Sequence, residues 1–293
     1  MDLLSIDSLS DEQIGAILDR ADHFFGAKLT ADSATVLNGK LVFNLFYENS
    51  TRTLMSFATA SHRLGASVVT MPVEQSSVKK GESLQDTAAT LNAMRPDLLI
   101  IRHSENGAAA AVAEIMDAPV INAGDGTNEH PTQALLDAAT IRRRFGRIEN
   151  LKIAICGDIK HSRVARSNTK LLSRLGAEVR LAGPPELMPE GIERRSVDEA
   201  IEGANVVMML RVQRERLESD LGDAPGEFLR RYGLTADRLA HAASDAAVMH
   251  PGPINRGVEI DGAIADDPER SLITTQVAMG VAVRMACLEL LLA

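Results

Sequence analysis

Ser50-Thr51-Arg52-Thr53 gathers hydroxyls, a guanidinium and, if a helix starts there, the free N–H groups of its first turn around one point. Such a point suits an anion. The positive end of the helix dipole and the unpaired backbone donors favour phosphate, and Arg52 adds a planar charged fork. The flanking sequence supplies the helix: Leu41 to Phe46 is an apolar run of buried-strand length, and Leu54, Phe57, Ala58 and Leu64 recur at helical spacing after it. Strand, loop and helix therefore follow in order, with Ser50 at the N-cap. A capped helix with a surface arginine would read the same way, so an anion site needs support from the rest of the chain.

Two further groups give that support. Asp97 to Ile101 reads as a strand leading into Arg102-His103. Pro119 to Asn122 reads as another, which passes through the loop Ala123 to Glu129 to His130-Pro131-Thr132-Gln133, where a helix begins and runs to about Phe145. A helix from a Ser10 cap to about Phe25, a strand Ser67 to Met71, an exposed loop Glu74 to Ser83, and helices Leu84 to Met94 and Gly107 to Met116 complete this half. Strands alternating with helices predict a parallel α/β sheet. Ligands of such sheets bind beyond the carboxyl ends of the strands, so Ser50 to Thr53, Arg102 and His130 are expected to converge. A lone histidine before a helix is more often a cap than a ligand; its place at the mouth of the sheet singles out His130.

The second half starts at Asn150 and is again α/β: strand Leu151 to Cys156, turn Gly157-Asp158, helix Arg163 to Leu175, strand Glu178 to Ala182, helix Val197 to Ile201, strand Val206 to Leu210 and a strand near Ala247 to His250. The first strand-turn-helix invites a dinucleotide reading, but ICGDIKHSRVARS lacks G-x-G-x-x-G and with it the glycines that let a backbone approach a pyrophosphate. The same edge instead carries Arg163 after its first strand and Arg211 with Gln213 after its third, a set suited to one or two carboxylates. Solvated arginines are the plain alternative. Gly222 to Gly226 reads as a mobile loop, His250-Pro251-Gly252-Pro253 as a stiff turn whose backbone can approach a ligand, and helical patterning resumes at about Thr274.

Composition excludes other classes. A chain of 293 residues predicts two domains, and 45% hydrophobic with 24% charged residues is ordinary for a globular protein. The net charge of −9 argues against nucleic acid as a partner. Cys156 and Cys287 lie far apart in apolar segments and read as buried thiols in a reducing cytoplasm. MDLLSIDSLSDEQ lacks the basic and apolar regions of a signal peptide, and the tail Val277 to Ala293, interrupted by Arg284 and Glu289, is expected to be too short to span a membrane.

Taken together, Ser50 to Thr53, SSVKKGESLQDT from Ser76 to Thr87, Arg102-His103, His130 to Gln133, Arg163, LRVQRERL from Leu210 to Leu217 and HPGPINRGVEI from His250 to Ile260 resemble the aspartate and ornithine carbamoyltransferase family. They cover about three quarters of the chain in the family's order. The resemblance implies two α/β domains, each with a mainly parallel sheet flanked by helices: a carbamoyl-phosphate domain over residues 1–131, completed by a C-terminal helix at 275–293, and an aspartate domain over 132–274. It implies that the amine of L-aspartate attacks carbamoyl phosphate, giving N-carbamoyl-L-aspartate and phosphate in pyrimidine biosynthesis, with no metal or organic cofactor.

By position, Ser50, Thr51, Arg52 and Thr53 would hold the phosphate; Arg102, His130 and Thr53 the carbamoyl oxygen; Gln133 the carbamoyl nitrogen; and Arg163, Arg211 and Gln213 the aspartate carboxylates, with Gly252 and Pro253 also at the substrates. Ser76 and Lys80 match a loop that in the family reaches into a neighbouring subunit's site, so a homotrimer with shared sites is implied, as are possible regulatory or dihydroorotase-like partners. Arg52, Thr53, Lys80, Arg102 and His130 would be the catalytic set. Glu48 matches a position that meets Arg163 and Arg216 when the family's domains close. Leu54 and Ala58 stand where the family commonly has an Arg–Glu pair one helical turn apart, an apolar replacement of an ion pair. Aspartate is preferred because the chain has Gly252 where ornithine enzymes carry a cysteine; an ornithine-type enzyme and a silent structural homologue stay open as alternatives.

Overall fold

The computed structural model describes residues 1–26, 35–73, 76–193, 195–211 and 226–293. The chain divides into two compact units, Met1–Ala139 with Val277–Ala293, and Thr140–Gln276.

The first unit runs α1 (Asp11–Gly26), β1 (Leu41–Phe46), α2 (Thr51–Arg63), β2 (Ser67–Met71), α3 (Leu84–Ala93), β3 (Leu98–His103), α4 (Ala108–Ala113), β4 (Val120–Asp125) and the start of α5 (Pro131–Phe145). Its strands pair in parallel in the order β2-β1-β3-β4. The central strands β1 and β3 are near-continuous apolar runs, LVFNLF and LLIIRH, because helices cover both faces of a parallel sheet. Edge strand β2, SVVTM, has no fully buried residue. The chain therefore leaves β1 toward β2 on one side and returns past it to β3 on the other. The reversal puts the topological switch point between β1 and β3, the place where an open α/β sheet holds its ligand.

The second unit repeats the plan with β5 (Lys152–Cys156), α6 (Arg163–Arg174), β6 (Glu178–Ala182), α7 (Val197–Ile201), β7 (Val206–Met209), α8 (Glu227–Tyr232), α9 (Ala236–Leu239), β8 (Ala247–Met249) and α10 (Gly262–Ala265). The order β6-β5-β7-β8, again parallel, puts its switch point between β5 and β7. The strands end in close quarters there: a Cβ on Gly157 would lie 2.8 Å from the Leu210 carbonyl oxygen, and one on Gly183 2.1 Å from that of Gly157. Only glycine fits at these points. Residues of β5, α7, β7 and β8, among them Cys156, Ile201, Met209 and Val248, form one buried cluster.

The last helix, α11 (Ile273–Leu292), belongs to the first unit from Val277 onward. It starts earlier than the sequence suggests, and its 20 residues are long and apolar enough to cross a membrane by length and composition, which corrects the expectation of too short a tail. More than half of that apolar window is buried inside the protein, the condition of a core helix, with Met279, Val283 and Leu288 at its centre. Both charges that interrupt it have uses within the unit. Glu289 takes two hydrogen bonds from Arg20 of α1, at 2.6 and 2.8 Å. Arg284 is buried with its guanidinium 4.9 Å from the centre of the Phe57 ring of α2, and it donates to the Gly280 carbonyl at 3.1 Å. Gly280 leaves room for it, since a Cβ there would lie 2.7 Å from Arg284 Nη1. Burial pulls this guanidinium down to about 10, which still leaves it charged at neutral pH.

Cys156 and Cys287 are free, buried thiols, as expected, and burial pushes both up to about 12. Almost no thiolate is present at pH 8, so a disulfide reagent should titrate neither thiol in the native protein and both after denaturation. A native thiol that reacts at the denatured rate would contradict this burial.

Candidate active site

In the first unit the chain leaves β1 and enters α2 through Ser50, which is extended (φ −157°, ψ 98°) and caps the helix by accepting from the Thr53 N–H. Ser50 Oγ lies 2.9 Å from Thr53 Oγ1, so the two hydroxyls are held together, and Thr53 is only 5% exposed. No acidic residue sits in the first turn of α2. Thr51 and Arg52 are exposed, and Arg52 has no ion-pair partner among the described residues. Partial burial pulls the Arg52 guanidinium below its ordinary value. The turn thus offers hydroxyls, backbone donors and a cation with nothing of its own to neutralise them.

Across the switch point, Arg102 is the penultimate residue of β3, one step further along the strand than the sequence suggests. Register places Phe46 beside it, so the end of β1 and the end of β3 present their side chains at one level. Arg102 is 9% exposed; it donates to Glu48 Oε1 at 2.8 Å and to the Ala123 carbonyl at 3.2 Å, which fixes the plane of the guanidinium. Glu48 accepts this bond beside Arg102, and Arg216, which the resemblance has it meet on domain closure, lies outside the described residues. β4 also runs further than expected, to Asp125, before the chain reaches His130.

His130 is 3% exposed and directly precedes α5, whose first residue is Pro131. Gln133, one turn in, is buried and donates from Nε2 to Asp137 Oδ1 at 3.0 Å. Asp137 was not picked out from the sequence, although its i+4 spacing from Gln133 is a visible signal. Leu54 and Ala58, one turn apart on α2, are both half-buried, as suits an apolar pair. Ser76 and Lys80 lie elsewhere, on a short 3₁₀ turn at Ser77–Lys80 that Ser76 caps by accepting from the Val78 N–H. Lys80 is exposed, and among the described residues neither side chain hydrogen-bonds to the β1–α2 junction.

In the second unit, the turn after β5 begins α6 at Arg163, with Ser162 as the cap, accepting from the Ala165 N–H at 3.0 Å. Asp158, fully buried in this turn, accepts from the His161 N–H at 3.1 Å and lies 3.0 Å from His161 Nδ1. Arg211 directly follows Leu210, whose N–H donates to the Cys156 carbonyl at 2.8 Å, so both arginines leave the strands that flank this unit's switch point. Gln213 lies outside the described residues, as does the loop from Gly222 up to Gly226. After β8, His250 opens the turn that contains Gly252, in the left-handed region at φ 69°, and Pro253 behind a cis peptide. Among the described residues no group of three or more His, Cys, Asp or Glu side chains is placed to hold a metal ion.

Comparison with known proteins gives the residues of each unit their context. Residues 1–143 match the family model described as aspartate/ornithine carbamoyltransferase, carbamoyl-P binding domain, and residues 149–291 match the corresponding Asp/Orn binding domain. The chain is 56% identical to the aspartate carbamoyltransferase catalytic subunits of Rhizorhabdus wittichii and Granulibacter bethesdensis, in each case over 99% of this chain and 94% of the relative. Aspartate transcarbamoylase of Trypanosoma cruzi, solved with carbamoyl phosphate and aspartate, superposes with a TM-score of 0.88 at 33% identity, covering 100% of this chain and 97% of that one. The same enzyme with N-(phosphonacetyl)-L-aspartic acid gives 0.88 at 32% identity, over 100% and 96%. On sequence and on structure alike, the chain belongs to the aspartate/ornithine carbamoyltransferase family.

Proposed function

We propose that the chain transfers the carbamoyl group of carbamoyl phosphate to the amine of L-aspartate, giving N-carbamoyl-L-aspartate and phosphate for pyrimidine biosynthesis. The observation that carries this reading is the pairing, at one switch point, of an unneutralised helix N-terminus with a buried, planar arginine. Naming of the relatives at 54–56% identity for aspartate supports that acceptor over ornithine.

In this reading Ser50, Thr51, Arg52 and Thr53 hold the phosphate, whose negative oxygens meet the free N–H groups of α2. Arg102, His130 and Thr53 face the carbamoyl oxygen, and Gln133, kept in place by Asp137, faces the carbamoyl nitrogen. As the amine adds to the carbonyl carbon, negative charge grows on that oxygen, and donors already fixed in the protein stabilise it without reorganising. The C–N bond forms, the bond to phosphate breaks, and the amine's proton leaves with the phosphate, which would otherwise depart as a trianion. Arg163, Arg211 and Gln213 take the two carboxylates of aspartate, while Gly252 and Pro253 present turn backbone to the substrates. Lys80 and Ser76 act in a neighbouring subunit's site, within a homotrimer. The wording "catalytic subunit" for the relatives supports assembly with regulatory chains or with a dihydroorotase-like partner. Free buried thiols support a cytoplasmic location, and no nucleic acid, membrane, metal or organic cofactor enters the reaction.

The test is a compound that joins mimics of both substrates. N-(phosphonacetyl)-L-aspartate should bind at least about 10²-fold more tightly than carbamoyl phosphate or aspartate alone in calorimetry, because one association then satisfies both half-sites. Binding no tighter than that of phosphate would contradict the proposal.

A further inference from the structure

Beyond the groups that touch substrate, the second unit contains a buried carboxylate that the proposed reaction does not use. Glu259 is fully buried, and burying a carboxylate is costly unless its hydrogen bonds are organised. Its Oε1 accepts from the Asn255 N–H and lies 3.1 Å from Nε2 of His250, which is itself buried. The other ring nitrogen, His250 Nδ1, accepts from the Gly252 N–H at 2.8 Å. A backbone N–H can only donate, so Nδ1 carries no proton; the ring is neutral, and its single N–H, on Nε2, points at Glu259. The ring is thus tied at both ends, to the backbone of Gly252 and to Glu259. The entrance to the turn is fixed as well, because the His250 N–H donates to Gln276 Oε1 at 2.9 Å.

We infer that Glu259 is a positioning residue for the substrate-binding turn: through His250 it sets the tautomer that holds the Gly252 N–H and so the placement of the Gly252-Pro253 backbone. This rests on the proposal that this turn meets the substrates. A mere structural staple would set stability alone. A positioning residue sets how well aspartate is held, since a misplacement of about 1 Å can cost on the order of 10²-fold in rate. Glutamine keeps the acceptor at Oε1 and so keeps the latch; alanine removes it.

The experiment is steady-state kinetics on the full-length protein with carbamoyl phosphate and L-aspartate, together with solid-state ¹⁵N spectra of histidine-labelled protein in which the His250 signals are assigned with His250→Gln. Glu259→Gln should stay within about threefold of the parent in kcat/KM for aspartate, while Glu259→Ala should raise the aspartate KM by about tenfold or more and leave the KM for carbamoyl phosphate within about twofold. The spectra should show His250 neutral, with its proton on Nε2. A folded Glu259→Ala protein with an unchanged aspartate KM overturns the inference, as does a proton on Nδ1. If Glu259→Ala does not fold, His250→Gln carries the kinetic test, and an unchanged aspartate KM there overturns it equally. A parent protein with no carbamoyl transfer would overturn the functional reading instead, and the tautomer would still decide whether the latch exists.

Discussion

Replacing Arg102 by alanine is expected to lower kcat for carbamoyl transfer by about 10²–10³, with a much smaller change in the KM for carbamoyl phosphate. The size follows from position. Arg102 is buried at the end of β3, and its plane is fixed by Glu48 at 2.8 Å and by the Ala123 carbonyl at 3.2 Å, so it meets the developing oxyanion without paying for reorientation. Lysine cannot take its place, because an ammonium is a point charge without the fork that reaches two acceptors at once, so Arg102→Lys should recover little of the loss. Removing the arginine leaves Glu48 without this cation, yet the Glu48 side chain is 27% exposed and stays hydrated. The variant should therefore fold, and steady-state kinetics with circular dichroism as a folding control decides the matter. A fall of less than about tenfold would remove Arg102 from the transition state.

The second large effect concerns shared sites. Arg52→Ala removes the cation of the phosphate turn, and Lys80→Ala removes the exposed cation of the Ser77–Lys80 turn, so each should be nearly inactive alone. In a ring of three identical chains whose sites each combine Arg52 of one chain with Lys80 of the next, every mixed ring contains one site that carries both native residues. Random mixing of the two dead variants after dissociation should then restore roughly one quarter of the parent activity. Each chain's own Lys80 serving its own Arg52 predicts no recovery. Dissociation and reassociation of the parent, assayed in parallel, sets the scale.

Much of the architecture was legible because it is local. The apolar runs of β1, β3 and β4 and the cap at Ser50 state where elements start, and the structure places them there within a few residues. Strand order is not local. Nothing in the run of residues says that β1 lies between β2 and β3, so the carboxyl-end rule could gather Ser50 to Thr53 with Arg102 without showing that a switch point lies between them. Pairings across long sequence separations were likewise out of reach: Glu48 with Arg102, or Arg284 of α11 over Phe57 of α2. In the sequence, Arg284 reads only as an interruption of an apolar helix. In the fold, an aromatic face, a carbonyl and the space left by Gly280 accommodate it. α8, α9 and α10, each of four to six residues, escaped notice. The His250–Glu259 pair sits inside a motif that was quoted in full, yet its meaning depends on which ring nitrogen faces the backbone, and only coordinates supply that.

The measurement that bears most directly on the central claim is carbamoyl transfer from carbamoyl phosphate to L-aspartate and to L-ornithine in parallel, by purified protein without added metal, with Lys80→Ala as control. The account predicts N-carbamoyl-L-aspartate and stoichiometric phosphate from aspartate, no product from ornithine, and loss of both aspartate products in the variant. Citrulline from ornithine, or no carbamoylated product from either amine, would contradict it.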